Sequence, residues 1–189
     1  GRLDQYLLPF YRRDIDSGCI TQEHAQVILD HLFGKLTGLG GDIQNIAIGG
    51  LTPDGLDATN DLSYMILEAC QCVGKPGGNV TARIHESTPP SFLLKCAEVI
   101  RTGIGYPAVV NDDILVPALL EQNYPIEDAR DYAPIGCIEL TIPGRANPHA
   151  VSGWFNAAKC LELALFDGKA PRTGEQLGPA AGSLSDFDS

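Results

Sequence analysis

The chain has 189 residues, of which 44% are hydrophobic and 20% charged, and this balance excludes a disordered or low-complexity protein. Its 13 basic and 24 acidic residues give a net charge of −11, which argues against binding to nucleic acid or to an anionic membrane surface. No apolar run approaches the roughly 18 residues of a membrane span and no signal peptide follows the N-terminus, so we expect a cytoplasmic protein.

Helix-like and strand-like segments alternate along the chain. Thr21 and residues 59–61 are N-cap candidates for the first two predicted helices, and Pro90 and Pro117 suit first-turn positions. Residues 133–140 are predicted to be extended or a loop. Hydrophobic periodicity predicts helices over residues 21–36, 62–73, 90–101, 114–122, 125–132 and 153–166, and strands over residues 43–48, 79–84 and 106–110.

This alternation predicts parallel βαβ units, and hence an α/β sheet or barrel. Only about four strands are visible, which is too few to close an eight-stranded barrel. Residues 168–189 are rich in Gly, Pro, Ser and Asp and are predicted to form a surface loop. We therefore expect the chain to be a piece of a larger protein.

Six cysteines raise the question of disulfide bonds or a metal site. Four of them lie in or beside segments predicted as apolar helices, and we expect reduced, buried thiols. No second cysteine pair or histidine stands at zinc-ligand spacing from Cys70 and Cys72, so we expect no metal centre. The six are Cys19, Cys70, Cys72, Cys96, Cys137 and Cys160.

Residues 134–140, with the sequence PIGCIEL, carry the most informative pattern. In an extended strand Cys137 and Glu139 project to the same face, and Gly136 lets the backbone pass close to a ligand. A carboxylate disfavours ionisation of a neighbouring thiol, so this pair suits a neutral thiol in hydrogen-atom chemistry, with the carboxylate as a separate base. A lone C-x-E also occurs by chance, and a buried cysteine usually only packs, so the spacing by itself does not establish a site.

The same residues resemble the active-site cysteine loop of glycyl radical enzymes, in which Gly-Cys-Val-Glu-Pro is usual in the dehydratase and lyase branch. Other segments resemble that family in the same order along nearly the whole chain. They are LDQY (3–6) with PFY (9–11), DATNDLSY (57–64), RIH (83–85), NDD (111–113), EDARDY (127–132) and FNAAK (155–159).

The resemblance implies that residues 1–189 are part of a single catalytic domain, a ten-stranded β/α barrel of a homodimeric enzyme. It implies that Cys137 forms a transient thiyl radical that abstracts hydrogen from the substrate, and that Glu139 is the base. It also implies a glycyl radical on a C-terminal loop outside this chain, installed by an activating enzyme that uses an iron–sulfur cluster and S-adenosylmethionine. Without that loop, the isolated chain is expected to be inactive.

Two positions depart from the family pattern. Leu140 stands where the pattern has proline, and residues 148–151 (PHAV) occupy the stretch where many diol dehydratases have Trp-His-Asp, which makes simple diol dehydration less secure. Pyruvate formate-lyase itself has two adjacent cysteines in this loop. Here Cys137 is flanked by Gly136 and Ile138, which disfavours that activity.

Four further residues are candidates for the site. Trp154 lies on the predicted helix after the loop and either walls the substrate pocket or belongs to the core. Arg145 either binds an anionic substrate group or is a solvated loop residue. Asp42 precedes a strand after a glycine run, where it either reaches the cavity or forms an ordinary turn. His85 follows a strand and is either a second acid or base or a structural histidine.

These observations favour a glycyl radical lyase or dehydratase that cleaves a C–O, C–N or C–S bond of a small polar substrate. An arylacetate-type glycyl radical decarboxylase is the alternative enzyme, for which an apolar pocket around Trp154 is suited. A third alternative is a non-catalytic fragment or pseudoenzyme that serves as an assembly module.

Overall fold

The computed structural model describes residues 1–38, 44–74, 78–136, 138–146, 155–180 and 182. The chain divides into two compact units, Gly1–Pro148 and His149–Ser189. Within the described ranges, no helix is both long enough and apolar enough to cross a bilayer.

The described residues of the first unit form helices that alternate with strands, as the sequence predicts. The helices are α1 (Leu3–Asp16), α2 (Gln22–Gly38), α3 (Asp61–Val73), α4 (Pro90–Arg101), α5 (Asp112–Glu121) and α6 (Ile126–Arg130). The strands are β1 (Gln44–Gly49), β2 (Gly78–Ile84), β3 (Ala108–Asn111), β4 (Ala133–Ile135) and β5 (Glu139–Thr141).

Strands β1, β2 and β3 form a parallel sheet with β2 in the centre. Helix α3 connects β1 to β2, and α4 connects β2 to β3, because parallel neighbours require crossover connections. The prediction of parallel βαβ units, and with it the α/β fold class, is confirmed. Strands β4 and β5 form a separate antiparallel pair.

The main hydrophobic core includes residues of β2 and of the helices α2, α3 and α4. Val80 and Ala82 of the central strand are fully buried in it, together with Ile66 of α3 and Phe92 of α4. Burying one such large apolar side chain contributes roughly 1.5–3 kcal/mol, so the contact between helices and sheet stabilises this unit.

The other face of β2 is polar. Side chains alternate between the two faces of a strand, so Asn79, Thr81 and Arg83 share the face opposite to Val80 and Ala82. We call these three residues the polar face of β2. Thr81 and Arg83 are fully buried, which means that other parts of the chain must supply their hydrogen-bond partners.

Arg83 finds those partners in α5 and in the segment that leads into β4. Its Nε and Nη2 donate to the two carboxylate oxygens of Asp112 at 3.0 and 2.7 Å, and both side chains are fully buried. Its Nη1 and Nη2 also donate to the carbonyls of Tyr132 and Arg130, at 2.8 and 2.7 Å. This network joins the sheet to the start of the β4–β5 pair.

Tyr132 completes the network. Its ring lies 3.9 Å from the guanidinium carbon of Arg83, and its hydroxyl donates to Asp112 Oδ1 at 2.7 Å. Burial raises the pKa of Tyr132, which keeps the hydroxyl protonated as a donor. Gly50 leaves room for the guanidinium: it has φ +79°, and a Cβ there would lie 2.7 Å from Arg83 Nε.

Helices α1 and α5 differ from the prediction for identifiable reasons. The sequence patterns miss α1 because Pro9 interrupts its interior, where proline removes a hydrogen-bond donor. Helix α5 begins two residues before the predicted start, because the Asn111 side chain accepts a hydrogen bond from Asp113 N at 2.8 Å and caps it. Pro117 therefore lies in the helix interior and not in its first turn, as we expected.

The second unit contains α7 (Ala157–Leu165), which Asn156 caps by accepting from Lys159 N at 2.9 Å. This helix begins four residues after the predicted start, and residues 153 and 154 lie outside the described residues. In the predicted surface loop, Lys169 and Gln176 form an isolated antiparallel bridge.

Replacing Arg83 by Met tests the buried network. The change leaves the Asp112 carboxylate buried without its cationic partner, and the opening free energy of β2 and α5 should fall by about 3–5 kcal/mol. Hydrogen exchange of peptides from these elements, measured in the full-length protein, reports that energy. Adding Asp112→Asn should recover part of the loss, because it removes the unpaired charge.

The matched control is Arg13→Ala, which breaks an ion pair with Asp14 that lies at the surface. It should leave exchange in β2 and α5 unchanged. If β2 and α5 exchanged hydrogen equally fast in the Arg83→Met variant and in the control, the role given to the network would be contradicted.

Candidate functional site

The segment around Cys137 is a hairpin. Strands β4 and β5 run antiparallel and are joined by residues 136–138, which we call the hairpin tip. Cys137 itself lies outside the described residues, so the described neighbours of this position are Gly136 and Ile138. The paired positions are Ala133 with Thr141, Pro134 with Leu140, and Ile135 with Glu139.

A shared face for Cys137 and Glu139 requires a single extended strand, whereas the described residues here form two antiparallel strands, β4 and β5. Cys137 itself lies outside the described residues, so its placement relative to Glu139 stays a prediction. The chain reverses direction between Ile135 and Glu139, so the two-residue periodicity of a strand does not apply there. Gly136 has a φ of +51°, in the left-handed region that glycine adopts readily, and this makes the reversal possible.

Glu139 is the first residue of the returning strand, and its side chain folds back toward the hairpin tip. Its Oε2 accepts a hydrogen bond from the backbone N–H of Ile138 at 3.0 Å. A Cβ on Gly136 would lie 2.8 Å from the same oxygen, so a side chain at 136 would require the Glu139 carboxylate to move. Glu139 is half-buried, and its carboxylate lies against the backbone of Gly136 and Ile138, the two neighbours of position 137.

The carbonyl of Gly136 is held by two asparagine side chains. The Nδ2 atoms of Asn79 and Asn45 both donate to it, at 3.1 and 3.4 Å. These asparagines lie at the beginnings of β2 and β1, so the hairpin tip lies at the amino-terminal edge of the parallel sheet. At the other end of β4, Arg83 holds the carbonyl of Tyr132, which fixes the base of the hairpin.

Arg145 lies beside the hairpin. It lines an open cavity of about 600 Å³ together with Ile135 of β4 and Thr141 of β5. The hydroxyl of Thr141 is buried and makes no hydrogen bond among the described residues. Its Nη1 contacts Asp128 Oδ2 at 3.2 Å, and 71% of its side chain is exposed. Arg145 as a substrate ligand stays a prediction.

Two other predicted ligands, Asp42 and Trp154, lie outside the described residues. Their assignment to the site stays a prediction as well.

His85 is separated from this site. Its Nε2 lies 3.0 Å from Asp57 Oδ1, and its Nδ1 accepts from the backbone N–H of Ser87 at 3.2 Å, so both ring nitrogens are occupied. It follows β2, whereas the hairpin tip lies near Asn79 at the start of that strand. At about 3.3 Å per residue the two points are roughly 20 Å apart, which favours the structural role for His85.

The sequence reasoning missed Asn45, Asn79 and Arg83 as residues that hold the hairpin. A signal was present in residues 79–84 (NVTARI), where polar and apolar residues alternate strictly. A central strand of a parallel sheet is normally apolar on both faces. A polar face on such a strand therefore indicates a buried set of partners.

The prediction of buried cysteines holds for only two of the five described residues of this type. Cys70 and Cys96 are buried, and burial raises the pKa of each thiol to about 12. Cys19, Cys72 and Cys160 are exposed. Among the described side chains, no three His, Cys, Asp or Glu residues lie close enough together to bind a metal ion.

Comparison with known proteins gives consistent matches over the whole chain. The family described as pyruvate formate lyase-like matches residues 1–189. The chain is 35% identical to the isethionate sulfite-lyase of Oleidesulfovibrio alaskensis, over 100% of this chain and 25% of that protein.

Two solved structures are similar in fold as well. The glycerol-bound, B12-independent glycerol dehydratase of Clostridium butyricum matches with a TM-score of 0.86 and 36% identity, over 99% of this chain and 25% of that one. A glycyl radical enzyme from Archaeoglobus fulgidus matches with a TM-score of 0.85 and 33% identity, over 97% of this chain and 26% of that one. The chain spans about a quarter of the length of these relatives.

The two kinds of thiol predict a labelling pattern. With pKa values near 12, Cys70 and Cys96 are almost entirely protonated at pH 8, and burial blocks access, so iodoacetamide should not modify them in the native protein. Unfolding in guanidinium chloride should make both reactive, as measured by mass spectrometry of the digested protein. Cys72, exposed on α3, is the internal comparison, and native labelling of Cys70 at the rate of Cys72 would contradict the assignment.

Proposed function

The chain belongs to the pyruvate formate lyase-like family, and from this we propose that it forms the part of a glycyl radical lyase or dehydratase that supplies the hydrogen-abstracting thiol, Cys137, and the base, Glu139. The observation that carries the proposal is the hairpin tip. There the Glu139 carboxylate accepts a hydrogen bond at 3.0 Å from the N–H of Ile138, the residue that follows Cys137 in the sequence.

The relatives that match this chain are about four times as long, and we assign the remaining functions to the rest of the parent protein. In the proposal, that part completes a ten-stranded barrel, forms the homodimer and carries the radical glycine. An activating enzyme that uses S-adenosylmethionine installs the radical. The glycyl radical supplies an unpaired electron by taking the hydrogen atom of the Cys137 thiol.

Cys137 begins the reaction on the substrate. Its thiyl sulfur takes a hydrogen atom from the carbon that bears the substrate hydroxyl. The S–H bond forms, the C–H bond breaks, and the unpaired electron passes to that carbon. A turn that is held at the backbone suits this role, because hydrogen transfer requires the two reacting atoms to stay within about 3–3.5 Å of each other.

Glu139 acts in the elimination. It accepts the proton of the substrate hydroxyl, and the hydroxyl-bearing carbon becomes a carbonyl. The neighbouring carbon loses its leaving group with the bonding electron pair and keeps the unpaired electron. Cys137 then returns a hydrogen atom to that carbon, which restores the thiyl radical, and the proton on Glu139 neutralises the departing anion.

The substrate class follows from this chemistry and from the relatives. We propose a small polar molecule in which a hydroxyl-bearing carbon adjoins a carbon with a C–O, C–N or C–S bond. The names of the similar proteins include a sulfite-lyase and a dehydratase, which supports both C–S and C–O cleavage for the family. Arg145 lines the cavity beside the hairpin and is the candidate ligand for an anionic group of the substrate.

The test of this function uses the full-length protein, activated anaerobically. A glycyl radical doublet in the EPR spectrum, with turnover of one compound among 1,2-propanediol, trans-4-hydroxy-L-proline, choline and isethionate, is the expected result. Cys137→Ser should keep the doublet and abolish turnover, because the hydroxyl does not replace the thiol in hydrogen transfer. Cys72→Ser, an exposed cysteine on α3, is the control and should keep full activity.

Absence of the radical doublet in the wild-type protein would refute the assignment as an enzyme. Turnover by Cys137→Ser would refute the role of the thiol.

Glu139→Gln tests the base. The amide cannot take the hydroxyl proton, and a general base contributes roughly 10²–10⁴-fold, so kcat for elimination should fall by that range. Hydrogen exchange between Cys137 and deuterated substrate should persist, because it precedes proton transfer. Glu121→Gln, at the exposed end of α5, is the control, and full elimination activity in Glu139→Gln would contradict the assignment.

A further inference from the structure

Two asparagines occupy matching positions on neighbouring strands. Asn45 of β1 and Asn79 of β2 are directly paired in the parallel register. Residues in register on adjacent strands point to the same face of the sheet, so both amides lie on the side of the polar face of β2. Their Nδ2 atoms converge on one acceptor, the carbonyl oxygen of Gly136 at the hairpin tip.

The orientation of each amide is set by a hydroxyl group. The Tyr106 hydroxyl donates to Asn79 Oδ1, and the Thr81 hydroxyl donates to Asn45 Oδ1 at 3.4 Å. An asparagine side chain has one acceptor oxygen and one donor nitrogen. Because the hydroxyls occupy the oxygens, the nitrogens face the Gly136 carbonyl, and reversing either amide would place two oxygens against each other.

Holding this carbonyl fixes the peptide that carries the thiol residue. The Gly136–Cys137 peptide bond is planar, so the direction of the Gly136 carbonyl sets the positions of Cys137 N and Cα. Glycine at 136 has a φ of +51° and no side chain to restrict its rotation. The two amides accordingly supply the restraint that the glycine lacks.

We propose that Asn79 and Asn45, oriented by Tyr106 and Thr81, are positioning residues that hold Cys137 in the geometry for hydrogen transfer. This inference rests on the proposed function of Cys137. None of the four residues is assigned contact with the substrate. They act through the backbone of the hairpin tip, and Asn79 carries most of the effect because its contact with Gly136 is the shorter one.

The experiment uses three variants of the full-length protein. Asn79→Leu removes the amide donor and keeps a side chain of similar size, and Tyr106→Phe removes only the hydroxyl that orients Asn79. Tyr64→Phe is the matched control. Tyr64 loses a hydroxyl that hydrogen-bonds to Ser91 at 2.8 Å, and Ser91 lies on α4, outside β4 and β5. The probe is whichever of 1,2-propanediol, trans-4-hydroxy-L-proline, choline or isethionate turns over fastest, with deuterium on the carbon that loses hydrogen.

Displacement of the thiol by about 1 Å lowers the rate on the order of 100-fold. We expect kcat per glycyl radical spin to fall by about 10- to 100-fold in Asn79→Leu, and by less in Tyr106→Phe. KM should stay within about twofold, and the deuterium isotope effect should increase because hydrogen transfer becomes slower. A purely structural role would lower the amount of active enzyme and leave rate per spin and isotope effect unchanged.

A second measurement does not depend on turnover. Hydrogen exchange of a peptide that covers residues 133–141 should become faster in Asn79→Leu and Tyr106→Phe and stay unchanged in Tyr64→Phe. The inference would be overturned if residues 133–141 exchanged at the wild-type rate in both Asn79→Leu and Tyr106→Phe. It would also be overturned if exchange became faster while kcat and the isotope effect stayed unchanged. A wild-type protein without radical or turnover would instead overturn the proposed function, and the exchange result would still decide whether the asparagines hold the tip.

Discussion

The buried guanidinium of Arg83 is the interaction on which the geometry of the site depends. A charge removed from water requires full compensation, and here one carboxylate and two backbone carbonyls provide it. The carboxylate belongs to Asp112 at the start of α5, and the carbonyls belong to Arg130 and Tyr132 just before β4. Strand β2, helix α5 and the hairpin base are thus fixed by one side chain.

The same strand determines where the hairpin tip lies. Arg83 holds the carbonyl of Tyr132, and Asn79, four residues earlier in β2, holds the carbonyl of Gly136, four residues later in the chain. The equal spacing means that β4 follows the polar face of β2 in the opposite direction and is attached at both ends. A reactive residue needs such support from rigid elements, because a loop alone leaves its position loose.

Local periodicity and capping predicted most of the fold, and they failed where a distant contact decides the conformation. Helix α4 matches its predicted bounds, Pro90–Arg101, and Asn60 caps α3 as the sequence indicates. Helix α1 tolerates Pro9 inside it. The buried Asp4 carboxylate anchors α1 by accepting hydrogen bonds from Gly49 N and Ser63 Oγ at 2.7 and 2.6 Å.

The candidate site shows the same division. Cys137 and Glu139 were predicted through a family resemblance. The strand alternation that would place them on one face applies only to a single extended strand, and Ile135 and Glu139 lie on two antiparallel strands instead. The register that pairs Asn45 with Asn79 joins residues 34 positions apart, which no local pattern reveals.

The hairpin gives a physical reason for the pattern Gly-Cys-x-Glu. A glutamate two residues after the cysteine is the first residue of the returning strand, so its carboxylate reaches back to the tip. Its Oε2 lies 2.8 Å from the place of a Cβ at position 136, and the φ of +51° at that position favours glycine.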